Sequence, residues 1–519
     1  MGGIVRGRDF APAALTAAGG AAAGLAVMYH LLGWTALVTE AGNSCGGPYS
    51  PCPRGVPAAI LLAFAFSFAG AALLTKARRA TVRLLEGHRF TAVVLAGAVL
   101  AAWPGWLGYQ WLRGPHAEVV WQAAADHPST VRGVGNWGAD GAVVRARTDG
   151  LTSYAVGDGA ERWNLPAPAR ESVCGMSRGT AGGTGLVGFG RHDEPCATVA
   201  AVDLGTGRTL WTDRAGKDGS YRNHDAAAGL AVAAGVAVVA GSETDTDTGA
   251  GTETVTALSI EDGSRVWRWK ADEGCSVAGV HASGSRVLVV SGCVDHHGYA
   301  TGQDDERTAN AAALDPRTGK QQWKAVLPVE STLEKVSLLS ADPAVLLVDE
   351  EDERGTAAVL ALDDSGRTTA EIPLSGRTES LSALPEWIVG FPARPVLRAV
   401  VHDGLLVTAV TAPGDGEPYG VAAYLLADGR RVWGTEFEEP VKSLAVQGDE
   451  LALVTGHKYG KRPLLHTLEG RTGIRRGEGV VLRGAKIEEG VEHLPAGKGV
   501  HVFVNSDGTG DHRPALALR

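Results

Sequence analysis

The sequence has 519 residues, a formal net charge of −10 at pH 7 and 45% hydrophobic residues. The charge is unevenly divided: residues 1–115 carry nine Lys/Arg and three Asp/Glu, whereas the remainder carries 39 Lys/Arg and 55 Asp/Glu. So acidic a domain argues against nucleic-acid binding, which needs clustered cations that displace the counterions of phosphates. The composition therefore predicts a basic N-terminal segment, an acidic soluble domain and no nucleic-acid partner.

Three long uncharged segments follow one another near the N-terminus, at about residues 10–39, 55–75 and 90–112. Each can cross a hydrocarbon core about 30 Å thick, which takes about 20 helical residues. The first is longer than the apolar core of a cleaved signal peptide, about 7–15 residues, so cleavage is the weaker alternative. Burial of all three as core helices of a soluble domain is the other alternative. We predict a membrane module over 1–115 with three transmembrane helices and membrane lipid as one partner.

The basic residues around these segments predict the orientation of the chain. Arg54 and Arg113 fall on one side, and seven basic residues fall on the other. The seven are Arg6, Arg8, Lys76, Arg78, Arg79, Arg83 and Arg89. Because cytoplasmic loops are enriched in Lys and Arg, we expect a multi-pass cell-membrane protein with a cytoplasmic N-terminus. The domain over 116–519 is then extracytoplasmic.

The six cysteines all lie on the predicted outer side. Cys45 and Cys52 fall in the loop between the first two segments, and the others fall in the large domain: Cys174, Cys196, Cys275 and Cys293. An even number of cysteines outside the cytoplasmic segments is typical of disulfides in an oxidising compartment. A metal site is the alternative, but the Cys and His spacings match no zinc pattern. We predict disulfides, with Cys45–Cys52 closing a small loop.

A second pattern recurs in the acidic domain: a small residue, then Gly six positions later and Trp ten positions later. The five copies are Ser153/Gly159/Trp163, Ala201/Gly207/Trp211, Ala257/Gly263/Trp267, Ala313/Gly319/Trp323 and Ala423/Gly429/Trp433. Identical internal spacing predicts a repeat array. The stretches AVDLGTGRTLW and ALDPRTGKQQW resemble the tryptophan-docking motif of the pyrroloquinoline-quinone-like (PQQ-like) β-propeller repeat, A-x-D-x-x-T-G-x-x-x-W. The resemblance, over about 400 residues, implies an all-β propeller.

Short apolar runs bounded by Gly, Asp, Ser and Pro indicate the strands of this propeller. Eight of the runs look like second strands of a repeat, so we predict an eight-bladed PQQ-like β-propeller. Degenerate motif copies without Trp occur at 361–366 and 468–473. The eighth copy is split: residues 119–121, which include Trp121, form a fourth strand beside a third strand at the C-terminus. Joining the two would close the ring and hide both sheet edges.

The repeat also assigns roles to the conserved positions of the motif. The Gly permits a positive-φ turn before the fourth strand. The Trp packs between neighbouring blades, and its N–H needs a partner. The strand order places Cys174 near Cys196 and Cys275 near Cys293, so we predict these two pairings.

No catalytic, cofactor-binding or metal-binding residue is predicted. Asp295-His296-His297 is interpreted as a solvated loop rather than a metal cluster, because adjacent strand residues point to opposite faces. The acidic stretch 242–254 lacks the Gly and terminal Glu of a calcium-binding EF-hand loop, and the glycine-rich 182–190 lacks the Lys-Ser/Thr and helix of a phosphate loop. True quinoprotein dehydrogenases hold their cofactor through Ca²⁺ and often use two consecutive cysteines, and this chain has no Cys-Cys pair.

Three functional hypotheses remain. The first is a membrane-anchored, non-catalytic binding or scaffolding module for an envelope protein or a cell-surface ligand, since propeller loops often serve binding. The second is an extracytoplasmic enzyme, quinone-dependent or hydrolytic. The third is a ligand sensor, which would need a separate membrane partner because the cytoplasmic loop is short. We favour the first, with no cofactor and no enzymatic activity.

Overall fold

The structure is a computed structural model that divides into two compact units. It describes residues 10–41, 45, 52–81, 87–128, 131, 133–139, 141–191, 196–214, 220–221, 229–233, 235–244, 251–295, 306–329, 333–350, 355–383, 390–391, 394–395, 397–412, 416–456, 463–487, 491–497, 499–506, 508 and 513–519. Unit 1 comprises Met1–Glu118 and Glu478–Gly484, and unit 2 comprises Val119–Gly477 and Ala485–Arg519. The two units are described separately below.

Unit 1 contains three helices: α1 (Phe10–Ala41), α2 (Val56–Thr81) and α3 (Gly87–Arg113). Their apolar windows span Ala13–Thr39, Val56–Arg79 and His88–Arg113, each long and apolar enough to cross a membrane. The three predicted helices are therefore confirmed. The helix α2 runs beyond the predicted end at residue 75 because the basic and alanine residues that follow the apolar run are good helix formers.

Glycines of α1 set the packing of this unit, since α1 contacts both other helices extensively whereas α2 and α3 touch little. A Cβ atom at Gly19 would lie 2.8 Å from Leu74 Cδ2 of α2. One at Gly24 would lie 2.8 Å from the Cα atom of Ala98 on α3. Such spacing leaves no room for a side chain, which is the close backbone approach typical of glycine interfaces between membrane helices.

The strands of unit 2 form consecutive antiparallel runs, which we number groups 1 to 8. The strand β1 (His116–Gln122) precedes them. Group 1 contains β2 (Gly133–Ala139), β3 (Ala142–Arg147), β4 (Gly150–Ala155) and β5 (Glu161–Pro166). Group 2 contains β6 (Ser172–Met176), β7 (Thr184–Gly190), β8 (Thr198–Asp203) and β9 (Thr209–Arg214). Group 3 contains β10 (Ser220–Tyr221), β11 (Leu230–Ala233), β12 (Val236–Thr244), β13 (Gly251–Ser259) and β14 (Arg265–Lys270).

The later groups repeat the same order of short strands. Group 4 contains β15 (Cys275–Ala282), β16 (Val287–Asp295), β17 (Glu306–Leu314) and β18 (Gln321–Leu327). Group 5 contains β19 (Leu333–Ala341), β20 (Ala344–Glu350), β21 (Ala357–Leu362) and β22 (Thr368–Pro373). Group 6 contains β23 (Ser380–Leu381), β26 (Ala399–His402), β27 (Leu405–Thr411), β28 (Gly420–Leu425) and β29 (Arg431–Glu436). Between β23 and β26, the strands β24 (Gly390–Phe391) and β25 (Arg394–Pro395) pair only with each other. Group 7 contains β30 (Val441–Gln447), β31 (Glu450–Thr455) and β32 (Leu464–Glu469), and β33 (Val480–Arg483) follows in unit 1. Group 8 contains β34 (Glu492–Pro495), β35 (His501–Val504) and β36 (Ala515–Leu518).

The first strands of the groups form the inner ring of the propeller. Contacts join β2 with β6, β11 with β15, β15 with β19, β19 with β26, β26 with β30 and β30 with β34. The last strands lie outside, and in β9, β14, β18 and β29 most positions are at least partly exposed while the Trp position is buried. Apolar clusters fill the space between neighbouring groups; one joins Leu288 and Val290 to Leu346 and Val348.

The first and last strands of the propeller meet. The strand β1 pairs antiparallel with β36, and Trp121 lies opposite Ala517. This is the pairing that the split-motif hypothesis requires. Because β1 also pairs in parallel with β33 over residues 116–118, one strand joins two runs. The all-β propeller class is confirmed, and the count of eight blades stays a prediction.

Candidate functional site

The Gly–Trp repeat builds the junctions between neighbouring groups. In each regular turn the Gly N–H bonds to the carbonyl four residues earlier, as from Gly319 to Asp315 at 2.8 Å. The Gly has positive φ, 68° at Gly319, and a Cβ atom there would lie 2.6 Å from Cδ2 of Trp267 in the preceding group. The indole therefore lies flat on a surface that only glycine leaves open.

The Trp N–H groups share one acceptor position, three residues before the Gly of the next group. The pairs are Trp121 with Val156 (2.7 Å), Trp163 with Leu204 (3.0 Å), Trp211 with Ile260 (2.9 Å), Trp267 with Pro316 (2.8 Å) and Trp433 with Gly470 (3.2 Å). The corresponding glycines under the rings are Gly159, Gly207, Gly263, Gly319 and Gly473. Each indole therefore combines buried area with a satisfied donor.

The two junctions on either side of group 5 depart from this rule, and group 7, whose motif copy at 468–473 lacks Trp, offers no indole either. The turn at Gly366 is one residue shorter, with its N–H bonded to the carbonyl three residues back. Above it, Trp323 Nε1 has no hydrogen-bond partner among the described residues. In group 5 itself Ala370 stands opposite Ala361, the position that Trp occupies in groups 1, 2, 3, 4 and 6. The hydroxyl of Thr369 instead donates to the carbonyl of Leu426 at 2.7 Å, the usual Trp acceptor. Gly429 consequently faces no indole.

The turns carry carboxylates that stabilise them. Asp203 accepts a hydrogen bond from the Thr206 hydroxyl at 2.9 Å, and Asp315 does the same with Thr318. These bonds favour the charged carboxylate and lower the pKa of both Asp203 and Asp315. Their role is to hold the turn.

Three disulfides join the six cysteines. They are Cys45–Cys52, Cys174–Cys196 and Cys275–Cys293. The last pair lies directly opposite across β15 and β16. The prediction of disulfide-bonded cysteines is confirmed.

An arginine joins two groups that are not neighbours along the chain. Arg178, after β6 of group 2, donates to the carbonyl of Leu338 and to Ser337 Oγ (3.4 Å) on β19 of group 5. His281 of β15 also belongs to this cluster: its Nδ1 is buried without a partner. Burial, helped by the positive charge of Arg178, lowers the pKa of His281 to about 4. Groups 2, 4 and 5 thus meet through a cation and a neutral imidazole.

This donor set does not suit a quinone held by Ca²⁺. Calcium takes six to eight oxygen ligands, mostly carboxylates and carbonyls. The neighbours of the Arg178 guanidinium include a hydroxyl, a carbonyl and an imidazole, which are not the carboxylate ligands that Ca²⁺ prefers. We therefore derive no quinone chemistry here.

The described residues contain one group that could supply three metal ligands. His402, Asp403 and Asp449 have ligand atoms within 4.8 Å of one another, in turns of groups 6 and 7. Arg471 Nε lies 3.1 Å from Asp403 Oδ2, so a fixed cation already neutralises one carboxylate. The sequence did not single out this cluster, because its members are 46 residues apart. Three segments were considered as ligand sites in the sequence. Two of them lie wholly or partly outside the described residues: His296 and His297, and part of 242–254. In the third, residues 184–190 form the strand β7.

A cleft of about 430 Å³ opens where turns of groups 8, 1 and 2 meet. Its lining residues are Gly138, Ala139, Gly141, Ala142, Val143, Val156, Thr180, Gly183, Leu494, Pro495 and Ala496. Of these, only Thr180 carries a side-chain hydrogen-bonding group. The cleft offers backbone and small apolar surface, which suits binding of a short apolar segment and supplies no nucleophile or base.

Comparison with known families decides the classification. The PQQ_2 family, described as outer membrane protein assembly factor BamB, matches residues 196–476, more than half of the chain. The chain belongs to this family. The match runs from group 2 into the turn after group 7, and it confirms the PQQ-like character of the repeat. No curated protein matches the chain.

Several solved structures resemble the chain at low identity. BamB from Moraxella catarrhalis has 13% identity and a TM-score of 0.42, with 77% of this chain and 99% of that chain covered. Quinohemoprotein alcohol dehydrogenase from Comamonas testosteroni has 12% identity and a TM-score of 0.43, covering 78% and 75%. A europium-containing methanol dehydrogenase has 12% identity and a TM-score of 0.42, covering 75% and 84%. These names include an assembly factor and enzymes, so the likeness does not choose between binding and catalysis.

Proposed function

We propose that this protein is a membrane-anchored propeller that binds and scaffolds another protein of the cell envelope without catalysing a reaction. The observation that carries the proposal is the cleft at the turns of groups 8, 1 and 2, because its lining consists of glycine, alanine and other residues with no acid–base or nucleophilic group except one hydroxyl. Membership of a family described as an assembly factor supports a protein partner.

The chemistry of the cleft indicates the kind of segment that it binds. Gly138, Gly141 and Gly183 leave backbone groups accessible, and Val143, Val156 and Leu494 supply apolar contact. An extended peptide with small apolar side chains satisfies both, since main-chain hydrogen bonds give affinity and small pockets give selectivity. An acidic or basic peptide would gain nothing from these residues.

Site-specific photo-crosslinking in intact cells tests the proposal. A benzophenone amino acid at Thr180 should give a reproducible adduct with an envelope protein, whereas the same group at Thr212 on the outer strand β9 should not. Ala496→Trp at the cleft rim should abolish the adduct while leaving the thermal melt unchanged. Equal adducts at Thr180 and Thr212 would argue against the cleft. Purified protein that takes up a quinone with Ca²⁺ and oxidises an alcohol would establish the enzymatic alternative instead.

We also propose the orientation in which the N-terminus is cytoplasmic and the propeller extracytoplasmic. Seven basic residues against two support it, as do the disulfides Cys174–Cys196 and Cys275–Cys293, which persist in oxidising compartments. A C-terminal alkaline phosphatase fusion should be active, and a C-terminal fusion to a reporter that fluoresces only in the cytoplasm should be dark. The reverse result would overturn the orientation.

A further inference from the structure

The helices of unit 1 leave a groove between α2 and α3 of about 570 Å³. It is lined by Ala71, Leu74, Thr75, Arg78, Arg79, Phe90, Thr91, Val94 and Leu95. The five residues of α2 follow the spacing of one helical face, and so do the four of α3. The groove lies at the end of the helices where α2 finishes and α3 begins.

The groove exists because α1 holds the other two helices apart. Gly19 of α1 packs against Leu74, and a Cβ atom at Gly20 would lie 2.7 Å from the Cα atom of Val94. Both contacted residues line the groove. Because Gly19 and Gly20 have no side chains, α1 approaches both α2 and α3 closely. The helices α2 and α3 make few contacts with each other, and the groove lies between them.

The charged residues that line the groove, Arg78 and Arg79, are both positive. Among the described residues, no ion pair or hydrogen bond engages the side chain of Arg78 or Arg79, and both are exposed. None of the lining residues is acidic. The first turn of α3, from which Phe90 extends the lining, adds backbone N–H groups at the positive end of a helix dipole. An anion is the complementary ligand.

The remaining walls are apolar: Leu74, Phe90, Val94 and Leu95 run from the arginines toward the middle of the helices. A ligand with an anionic head and a hydrocarbon chain matches this order. The three helices are long and apolar enough to cross a bilayer, and anionic phospholipids of a bilayer have this structure. We propose that the groove between α2 and α3 binds an anionic phospholipid, with its phosphate on Arg78 and Arg79 and one acyl chain against Phe90 and Val94. The proposal requires that the helices cross a bilayer and is independent of what the propeller binds.

Native mass spectrometry of the full-length protein, titrated with phosphatidylglycerol or phosphatidylcholine in mixed micelles, tests the site. Phosphatidylglycerol should be retained and phosphatidylcholine lost. Arg78→Gln with Arg79→Gln should weaken phosphatidylglycerol binding by roughly 30-fold, because each basic residue near an anionic surface contributes about 1 kcal/mol. Arg78→Lys with Arg79→Lys should restore most of the binding, since Lys also contacts phosphate as a point charge.

Matched controls separate a built site from general attraction. Lys76→Gln with Arg89→Gln removes two charges at the same end but outside the lining, and should change binding little. Ala71→Trp narrows the groove and should weaken binding with both arginines present, whereas Ala72→Trp, outside the lining, should not. Inorganic phosphate should fail to displace the lipid. Equal losses in the two Gln pairs, or equal retention of the two lipids, would overturn the proposal.

Discussion

Groups 4 and 5 are neighbours in the same ring, yet they are held in different ways. Group 4 receives Trp267 on Gly319, offers its own Trp323 and contains the disulfide Cys275–Cys293. Group 5 has neither Trp nor disulfide and receives an indole whose N–H is unpaired. Group 5 therefore offers no indole to the next group, and polar contacts join it to other groups.

The polar contacts of group 5 come from several directions. Arg178 reaches β19 from across the ring, and Thr369 bonds to Leu426 in group 6. Arg286 of group 4 lies 2.7 Å from Asp364 in the shortened turn. Polar contacts depend on pH and salt, whereas buried aromatic surface depends on them much less. The polar contacts that hold group 5 should therefore respond to pH and salt.

Removing an indole from group 3 should have the largest effect. Trp267→Ala leaves the surface over Gly319 uncovered and the carbonyl of Pro316 without its donor, which should cost about 3–5 kcal/mol. Trp323→Ala should cost about 1 kcal/mol less, because that indole makes no hydrogen bond. Urea unfolding of the full-length protein, followed by circular dichroism, measures both. Equal losses of unfolding free energy in the two variants would show that the hydrogen bond of Trp267 contributes nothing that Trp323 lacks.

The glycines give a matched pair. Gly319→Ala places Cβ 2.6 Å from Trp267, whereas the nearest atoms at Gly429 are 3.4–3.6 Å away. Both residues have positive φ, 68° and 73°. Each variant should lose the 1–2 kcal/mol of a left-handed backbone, and Gly319→Ala should lose about 1–3 kcal/mol more through overpacking. Equal falls in the melting temperature of the two variants would show that the Trp267 indole moves away from the added Cβ atom at position 319 with no loss of folding free energy.

Acidification should destabilise the cluster of Arg178 and His281 that joins groups 2, 4 and 5. Burial, with help from Arg178, lowers the pKa of His281 to about 4, so the folded protein keeps it neutral where the unfolded chain takes up a proton. This stability is present above about pH 6.5 and is lost as pH falls toward 4, by up to about 1.4 kcal/mol per pH unit. Melting curves from pH 7.5 to 4.5 should show a smaller decline in His281→Gln. An identical decline in that variant would remove His281 from the explanation.

The smallest expected effect is that of salt on the ion pairs of the shortened turn. Arg286→Gln removes the ion pairs with Asp364, whose side chain is 92% exposed, and with Asp342, and should cost about 0.5–1 kcal/mol at low ionic strength. Because salt screens such pairs, the difference from the unmodified protein should shrink in 1 M NaCl. The exposed pair Arg367–Asp363 in the same turn provides the comparison variant, Arg367→Gln, which should cost less. If the difference in unfolding free energy between Arg286→Gln and the unmodified protein persists in 1 M NaCl, the loss comes from packing of the Arg286 side chain and not from its ion pairs.

The sequence predicted the regular part of this ring well. The spacing from Gly to Trp fixes a turn and the following strand, so the positions of Trp211 and Gly263 follow from local pattern alone. Trp121 could be assigned for the same reason, although its partner strand is at the other end of the chain. The motif does not reveal that Thr369 takes over the hydrogen bond of a missing Trp, because a lone Thr in a strand has no distinguishing neighbours.

Contacts across the ring left no sequence signal at all. Arg178 and Leu338 are 160 residues apart, and neither belongs to the Gly–Trp motif. The lining of the cleft comes from three turns of ordinary glycine-rich composition, which are indistinguishable in sequence from the turns of other groups. Such sites depend on how the ring closes, and short-range patterns contain no information about closure.

The pairing of β1 with β36 has a consequence for the timing of synthesis. The ribosome completes β1 about 390 residues before β36 begins, which at 5–20 residues per second is roughly 20 to 80 s. Throughout that time the edge of β1 that β36 will cover has no partner, and an uncovered strand edge promotes aggregation. The earlier strand β33 pairs with residues 116–118 of β1. Residues 116–118, about half of β1, therefore gain a partner strand before the ribosome has synthesised β36.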